Sequence, residues 1–167
     1  MSESKPFSTC DQCDPHRDGA PAGFAALPPV FRDFGGLKRF SGQVVTVKCH
    51  EDNTSVRATL ETPGAGRVLV VAGGGSLRTA LVGGNIGVLA EKNGWAGVLV
   101  DGCVRDVEEL AQCQVGIRAL GSMPMPPRKN HVGLVDVPVQ IQGVTVRPGD
   151  WLYADADGIV ISDVALS

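Results

Sequence analysis

Residues 67–106 read RVLVVAGGGSLRTALVGGNIGVLAEKNGWAGVLVDGCVRD, and the fold turns on how this stretch is read. Its first block, Arg67 to Ala72, is a continuous apolar run of strand length, the pattern of a strand covered on both faces. It opens into Gly73-Gly-Gly-Ser76. A helical stretch is expected from about Leu77 through Lys92, broken or restarted at Gly83-Gly84 and ended by the cap signal Asn93-Gly94. Ala96 to Asp101 reads as a second buried strand, with another helix starting near Arg105 or Asp106. Strand, helix, strand, helix in one window is a βαβα unit, whose two strands run parallel.

Outward from this centre the pattern changes on both sides. Gln43 to Cys49 is rich in β-branched residues and reads as a strand, followed by a short helix capped by Asn53 or Thr54 and stopped at Pro63-Gly64. After residue 113 short strands dominate: Val115 to Leu120, Val137 to Ile141, Val144 to Arg147, Trp151 to Ala154 and Ile159 to Ser162. Turns fall at Gln142-Gly143, Pro148-Gly149 and Asp157-Gly158, and Met123 to His131 reads as a loop. These strands are expected to be antiparallel and to close into a barrel or sandwich. Residues 1–40 read as an N-terminal arm with one or two short helices, since Phe24, Leu27, Val30, Phe31 and Phe34 stand at roughly helical spacing. The core is residues 41–167, and the whole makes one α/β domain.

Composition narrows the function. The chain has 167 residues and a formal charge of −3, with its Lys and Arg scattered. That balance argues against a nucleic-acid binder working by phosphate neutralisation. No apolar run approaches the roughly 20 residues needed to cross a bilayer, and the first ten residues lack a signal-peptide core. Five cysteines, an odd number, suggest free thiols. A cytoplasmic location is the expectation. Glycine contributes 22 residues, which points to tight turns or to backbone that comes close to a ligand.

Three places carry candidate chemistry. Gly73-Gly-Gly-Ser76 between strand and helix could hold an anion or make a tight turn, but it matches no nucleotide fingerprint. Gly83-Gly84-Asn85-Ile86 either kinks a helix or starts one whose N–H groups face the strand ends, where ligands of parallel sheets bind. Asp101-Gly-Cys-Val-Arg-Asp106 sets a guanidinium beside carboxylates at a strand end. Arg105 could take a carboxylate and Asp106 a hard cation; equally, Asp106 and Glu109 have capping-box spacing and Arg105 could pair with Glu108 or Glu109. Cys10-Asp-Gln-Cys13 lacks the partners for zinc, and Cys103 has no histidine near it in sequence.

Gly42 to Cys49, Val68 to Leu81, Asn93 to Gly97, Gly102 to Asp106 and Gly149 to Asp155 together resemble the regulator of ribonuclease activity A (RraA) family, which includes the class II 4-hydroxy-4-methyl-2-oxoglutarate aldolases. The likeness spans nearly the whole chain. It implies an α/β/β fold of the swivelling-domain type, assembled as a homotrimer or a dimer of trimers. Catalytic members use a divalent metal, Mg²⁺ or Mn²⁺, to cleave small 2-oxo acids to pyruvate, and they decarboxylate oxaloacetate through the same pyruvate enolate. By resemblance, Asp106 is the metal ligand and Arg105 stabilises the enolate. The backbone of Gly83, Gly84, Asn85 and Ile86 then holds the pyruvyl carboxylate. Two departures stand out. Catalytic members carry an acidic residue where this chain has Gly84, which leaves Asp101 as a candidate replacement and Gly84→Asp as an expected gain. Relatives also often carry Asp where this chain has Ala72. The alternative function is a non-catalytic regulator that binds ribonuclease E. A methyltransferase reading is weaker, since no acidic residue follows the glycines at cofactor-ribose distance.

Overall fold

The computed structural model describes residues 6–166. In chain order its elements are α1 (Thr9–Cys13), β1 (Phe24–Ala26), β2 (Arg32–Asp33), β3 (Phe40–Lys48), α2 (Thr54–Leu60), β4 (Val68–Ala72), β5 (Ala80–Val82), α3 (Gly84–Lys92), β6 (Gly97–Val104), α4 (Val107–Leu110), β7 (Gly116–Ser122), β8 (Leu134–Val135), β9 (Val139–Ile141), β10 (Val144–Val146), β11 (Trp151–Ala154) and β12 (Ile159–Ser162). The main sheet runs β1-β12-β11-β3-β4-β6-β7-β2. β3, β4, β6 and β7 are parallel, and the strands flanking them are antiparallel. The βαβα centre and the antiparallel C-terminal strands of the sequence reading are both present. β11 and β12 pair onto the start of β3, and the sheet curls there so that they lie across one face of the central strands as a second β layer. Only β9 and β10 form a separate hairpin, closed by Gln142 and Gly143 in the left-handed region that a tight hairpin turn requires.

Alternation along the central strands feeds two cores. Val45, Val47, Leu69, Val71, Val98 and Val100 face one side, under α2, α3 and α4, with Leu60, Leu110 and Trp95. Val44, Val68, Val70 and Leu99 face the other, where Ile141, Val146, Leu152 and Ile161 cover them. Both faces of the central sheet are therefore buried, which is why those strands read as unbroken apolar runs.

Two expectations are corrected. The stretch from Leu77 is not a helix: Ala80–Val82 forms β5, which pairs with the end of β6, and the helix starts only at Gly84. β-branched Thr79 and Val82 and the close pairing partner at Cys103 and Val104 override the helical pattern. The N-terminal segment is more than an arm, because β1 and β2 each pair with a strand of the sheet. Phe24 and Phe31 thus stand on or beside strands, where tertiary pairing has won over spacing. α1 is the one short helix that the reading anticipated, continued by a 3-10 turn over Asp14–His16. It is pinned to the C-terminal part of the sheet, where Thr9 donates its N–H and its hydroxyl to the two oxygens of Asp155 at 2.8 and 2.6 Å.

Candidate active site

β4 ends at Ala72 while β6 continues to Val104, and the edge thus vacated is taken by β5. This exchange brings the start of α3 against the end of β6. Arg105 N–H donates to Val82 O at 2.9 Å, which fixes Arg105 and Asp106 beside Gly83 and Gly84. Asp106 sits at φ 57°, in the left-handed region, and its side chain turns back to accept from the Gly84 N–H at 2.9 Å. That bond satisfies one of the orphan donors in the first turn of α3. The amides of Asn85 and Ile86 lie in the same turn, where no intrahelical carbonyl can reach them.

The glycine pair leaves room for the side chains that fold over it. A Cβ at Gly83 would lie 2.9 Å from the Asp106 carboxylate and 3.4 Å from the Arg105 side chain, and one at Gly84 would collide with the carboxylate of Glu109. Glu109 therefore occupies the space that an acidic side chain at position 84 would fill. The capping box expected from Asp106 and Glu109 does not form, since Asp106 makes no cap bond to its own helix. Nor does Arg105 pair with Glu108 or Glu109: among the described residues it has no carboxylate within ion-pair distance, and its guanidinium reaches only the carbonyl of Pro124 at 3.4 Å.

Arg105, Asp106 and the Gly83–Ile86 backbone line one cavity of about 70 Å³, shared with Asn53, Arg57, Pro127 and Lys129. All six residues singled out from the sequence thus meet in one place. The cavity is far smaller than the roughly 300–1,000 Å³ of drug-sized pockets, which suits a small acid. Three cations against one lining carboxylate suit an anion. Arg57, Lys129 and Glu109 were not read as site residues from sequence. Lys129 carried one weak signal, its place beside Arg128 as an adjacent basic pair in a loop, and Arg57 carried none.

The other candidates fall away from this cavity. Gly73 to Ser76 turns into β5, so no helix start stands there to hold an anion; Gly74 and Gly75 supply the positive φ of a tight turn. Asp101 is buried and accepts from Gln142 at 2.8 Å, on a different side from the Gly84 site, so it does not replace a carboxylate there. All five cysteines are free. Burial pushes the Cys103 thiol up, which makes it a poor nucleophile. A larger open groove of about 590 Å³ runs between Gly23 and Arg147 and holds none of the predicted residues.

The family model described as "RraA-like: Aldolase/RraA" matches residues 9–161. The chain belongs to the RraA-like family. A protein of Albidiferax ferrireducens named "Putative 4-hydroxy-4-methyl-2-oxoglutarate aldolase" is 60% identical over 164 residues, covering 93% of this chain and 95% of that one. A Burkholderia mallei protein of the same name is 58% identical, covering 96% and 98%. Among solved structures, "the RNA-processing inhibitor RraA from Thermus thermophilis" superposes with a TM-score of 0.90 at 47% identity, covering 98% of this chain and 96% of that one. A Geobacillus kaustophilus structure described as an S-adenosylmethionine:2-dimethylmenaquinone methyltransferase gives 0.89 at 39% identity, covering 96% and 97%. The RraA-like fold of this chain is a single mixed α/β domain with a curled sheet and few helices. No helix among the described residues is long and apolar enough to cross a membrane.

Proposed function

We propose that this RraA-like protein is a metal-dependent lyase that releases pyruvate from small 2-oxo dicarboxylic acids, both 4-hydroxy-4-methyl-2-oxoglutarate and, by decarboxylation, oxaloacetate. The observation that carries the reading is the meeting of Arg105, Asp106 and the start of α3 in one small cationic cavity. The names of the 58–60% identical relatives support it.

The donors present fit a divalent cation. Among the described residues no cluster of three or more His, Cys, Asp or Glu could cage a metal. Mg²⁺ and Mn²⁺ need no cage, because they accept one or two carboxylates with water and substrate completing the shell. Asp106 would hold the ion, with Glu109 offering a second carboxylate over Gly84. When bound, the cation supplies Lewis-acid polarisation of the 2-keto group. The chain does the rest. The amides of Asn85 and Ile86 hold the pyruvyl carboxylate at the positive end of α3. In both reactions the C3–C4 bond breaks, its electron pair passes to C3 of pyruvate and water protonates C3; in the aldol cleavage the 4-hydroxyl also gives its proton to water as its oxygen becomes the keto oxygen of the leaving acid. Arg105 stabilises the enolate charge that results, since no carboxylate of the chain neutralises its guanidinium. Arg57 and Lys129 face the carboxylate on the leaving half.

The test is pyruvate release from oxaloacetate with Mg²⁺ or Mn²⁺, compared with the free-metal rate. Turnover that Asp106→Ala abolishes supports the reading; no turnover above free metal defeats it. A homotrimer or dimer of trimers is proposed alongside, with the exposed Val107 and Met125 beside the site available for a second subunit to cover. Light scattering that gives a monomer would remove that part.

A second reading is a protein-binding regulator of ribonuclease E. It is favoured by the name of the 47% identical Thermus structure. A pull-down with ribonuclease E that recovers nothing counts against it.

A further inference from the structure

Two of the cavity's three cations, Arg57 and Lys129, come from segments that one buried carboxylate joins. Arg57 stands in α2. Lys129 stands in the loop over 127–131, which has no regular structure and is held almost wholly by residues 51–55. The Arg128 N–H donates to Glu51 O at 2.9 Å, and the Asn53 N–H donates to Arg128 O at 3.2 Å. The Gly133 N–H donates to the Ser55 hydroxyl at 2.7 Å. Between these lies Asp52, only 4% exposed. Its Oδ1 accepts from the Thr54 N–H at 2.9 Å and the Thr54 hydroxyl at 2.6 Å, at the start of α2. Its Oδ2 accepts from the consecutive amides of Asn130 and His131 at 2.8 and 2.9 Å, just past Lys129. Among the described residues no cation pairs with Asp52; the carboxylate spends its four acceptor positions on these two segments.

We propose that Asp52 is a positioning residue for substrate binding: one oxygen sets the start of α2 and the other sets the 127–131 loop, so that Arg57 and Lys129 converge on the far carboxylate of the substrate. The far carboxylate rests on the lyase reading above, whereas the positioning itself does not depend on the reaction. Two amides aimed at one oxygen fix the direction of the chain at Asn130 more tightly than a single bond does. A lysine tethered next to that point loses less conformational freedom when it meets an anion.

Asp52→Asn keeps the side chain's size, removes the charge and turns one acceptor into a donor. The test compares wild type, Asp52→Asn, Lys129→Met and the double variant by calorimetric titration with malonate, a dicarboxylate with no keto group, in the absence of metal. Amide exchange of residues 127–133 is followed in parallel. About tenfold weaker malonate binding is expected in each single variant, with the double variant no weaker than the worse single one, and with faster exchange at Asn130 and His131 only where Asp52 is changed. For oxaloacetate the same variants should raise KM without lowering kcat, because the far carboxylate is the group that leaves as neutral CO2 and its cations hold the ground state more tightly than the transition state. Equal malonate affinity in wild type and Asp52→Asn overturns the inference, as do additive losses or unchanged exchange. Absence of oxaloacetate turnover in wild type overturns the lyase reading alone and leaves malonate binding to decide this one.

Discussion

A carbon atom added to Gly84 meets the Glu109 carboxylate, and this governs what Gly84→Asp can do. In sequence terms Gly84 is a missing acid, and restoring it should raise activity. In the folded chain the Glu109 side chain of α4 lies over Gly84, so Gly84→Asp has to displace one carboxylate in order to place another. No gain in oxaloacetate turnover is expected from it. Glu109→Gln, in contrast, should weaken Mn²⁺ binding and turnover by about 10 to 100-fold, and Gly84→Asp should recover much of that loss only in the Glu109→Gln background. A Gly84→Asp enzyme faster than wild type would falsify this account. Two other glycines act through packing alone. The Phe40 ring lies against both Gly97 and Gly116, where a Cβ at either position would run into it. Gly116→Ala is therefore expected to cost about 1–3 kcal/mol, read as a lower urea midpoint with the slope unchanged.

At the level of elements, α2 and the 127–131 loop depend on the ionised state of Asp52. Burial pushes its carboxyl up, yet the hydroxyl and N–H of Thr54 and the amides of Asn130 and His131 outweigh that and hold it well below the usual carboxylate range. A group whose folded value is depressed contributes stability above its unfolded value of about 3.9 and loses it as pH falls toward the folded value. Stability should thus drop as pH falls below about 4, and Asp52→Asn should flatten that drop while lowering stability at pH 7. Equal acid slopes in the two proteins, measured by urea unfolding between pH 5 and 3, would count against it. Asp155 is the parallel case for α1, held low against burial by Thr9 and by the amides of Asp157 and Gly158. Thr9→Val removes one of these bonds and is expected to free α1, with faster proteolysis near Cys10 as the readout.

The molecule as a whole is one sheet with a core on each face, and alternate residues of β3, β4 and β6 belong to opposite cores. Neither core can melt without the strands that build the other. Leu60→Ala on one face and Leu99→Ala on the other are each expected to cost about 2–5 kcal/mol and to shift one common transition. Fluorescence of Trp95 and Trp151 and far-ultraviolet circular dichroism should coincide through that transition; two separate midpoints would break the shared-sheet account. The same double burial explains which parts of the fold were legible beforehand. Val68 to Ala72 and Ala96 to Asp101 could be read because strands covered on both faces are apolar at every position, and Asn93-Gly94 could be read because a helix end needs its cap. The meeting of Gly83 to Ile86 with Arg105 and Asp106 was expected only through the family resemblance, since the residues by themselves equally allowed a helix kink and a capping box. β5 was not legible, because three apolar residues take their conformation from the strand they pair with. Nor were Arg57, Lys129 and Glu109, which are ordinary surface residues by local pattern and join the site only because Asp52 anchors a distant loop and Gly84 leaves room for a side chain. Local propensity and burial pattern are written in the chain, so the sequence alone determined the long central strands and the Asn93-Gly94 cap; contacts between residues 20 to 80 positions apart exist only once the chain has folded, and those decided β5 and the charge and shape of the candidate site.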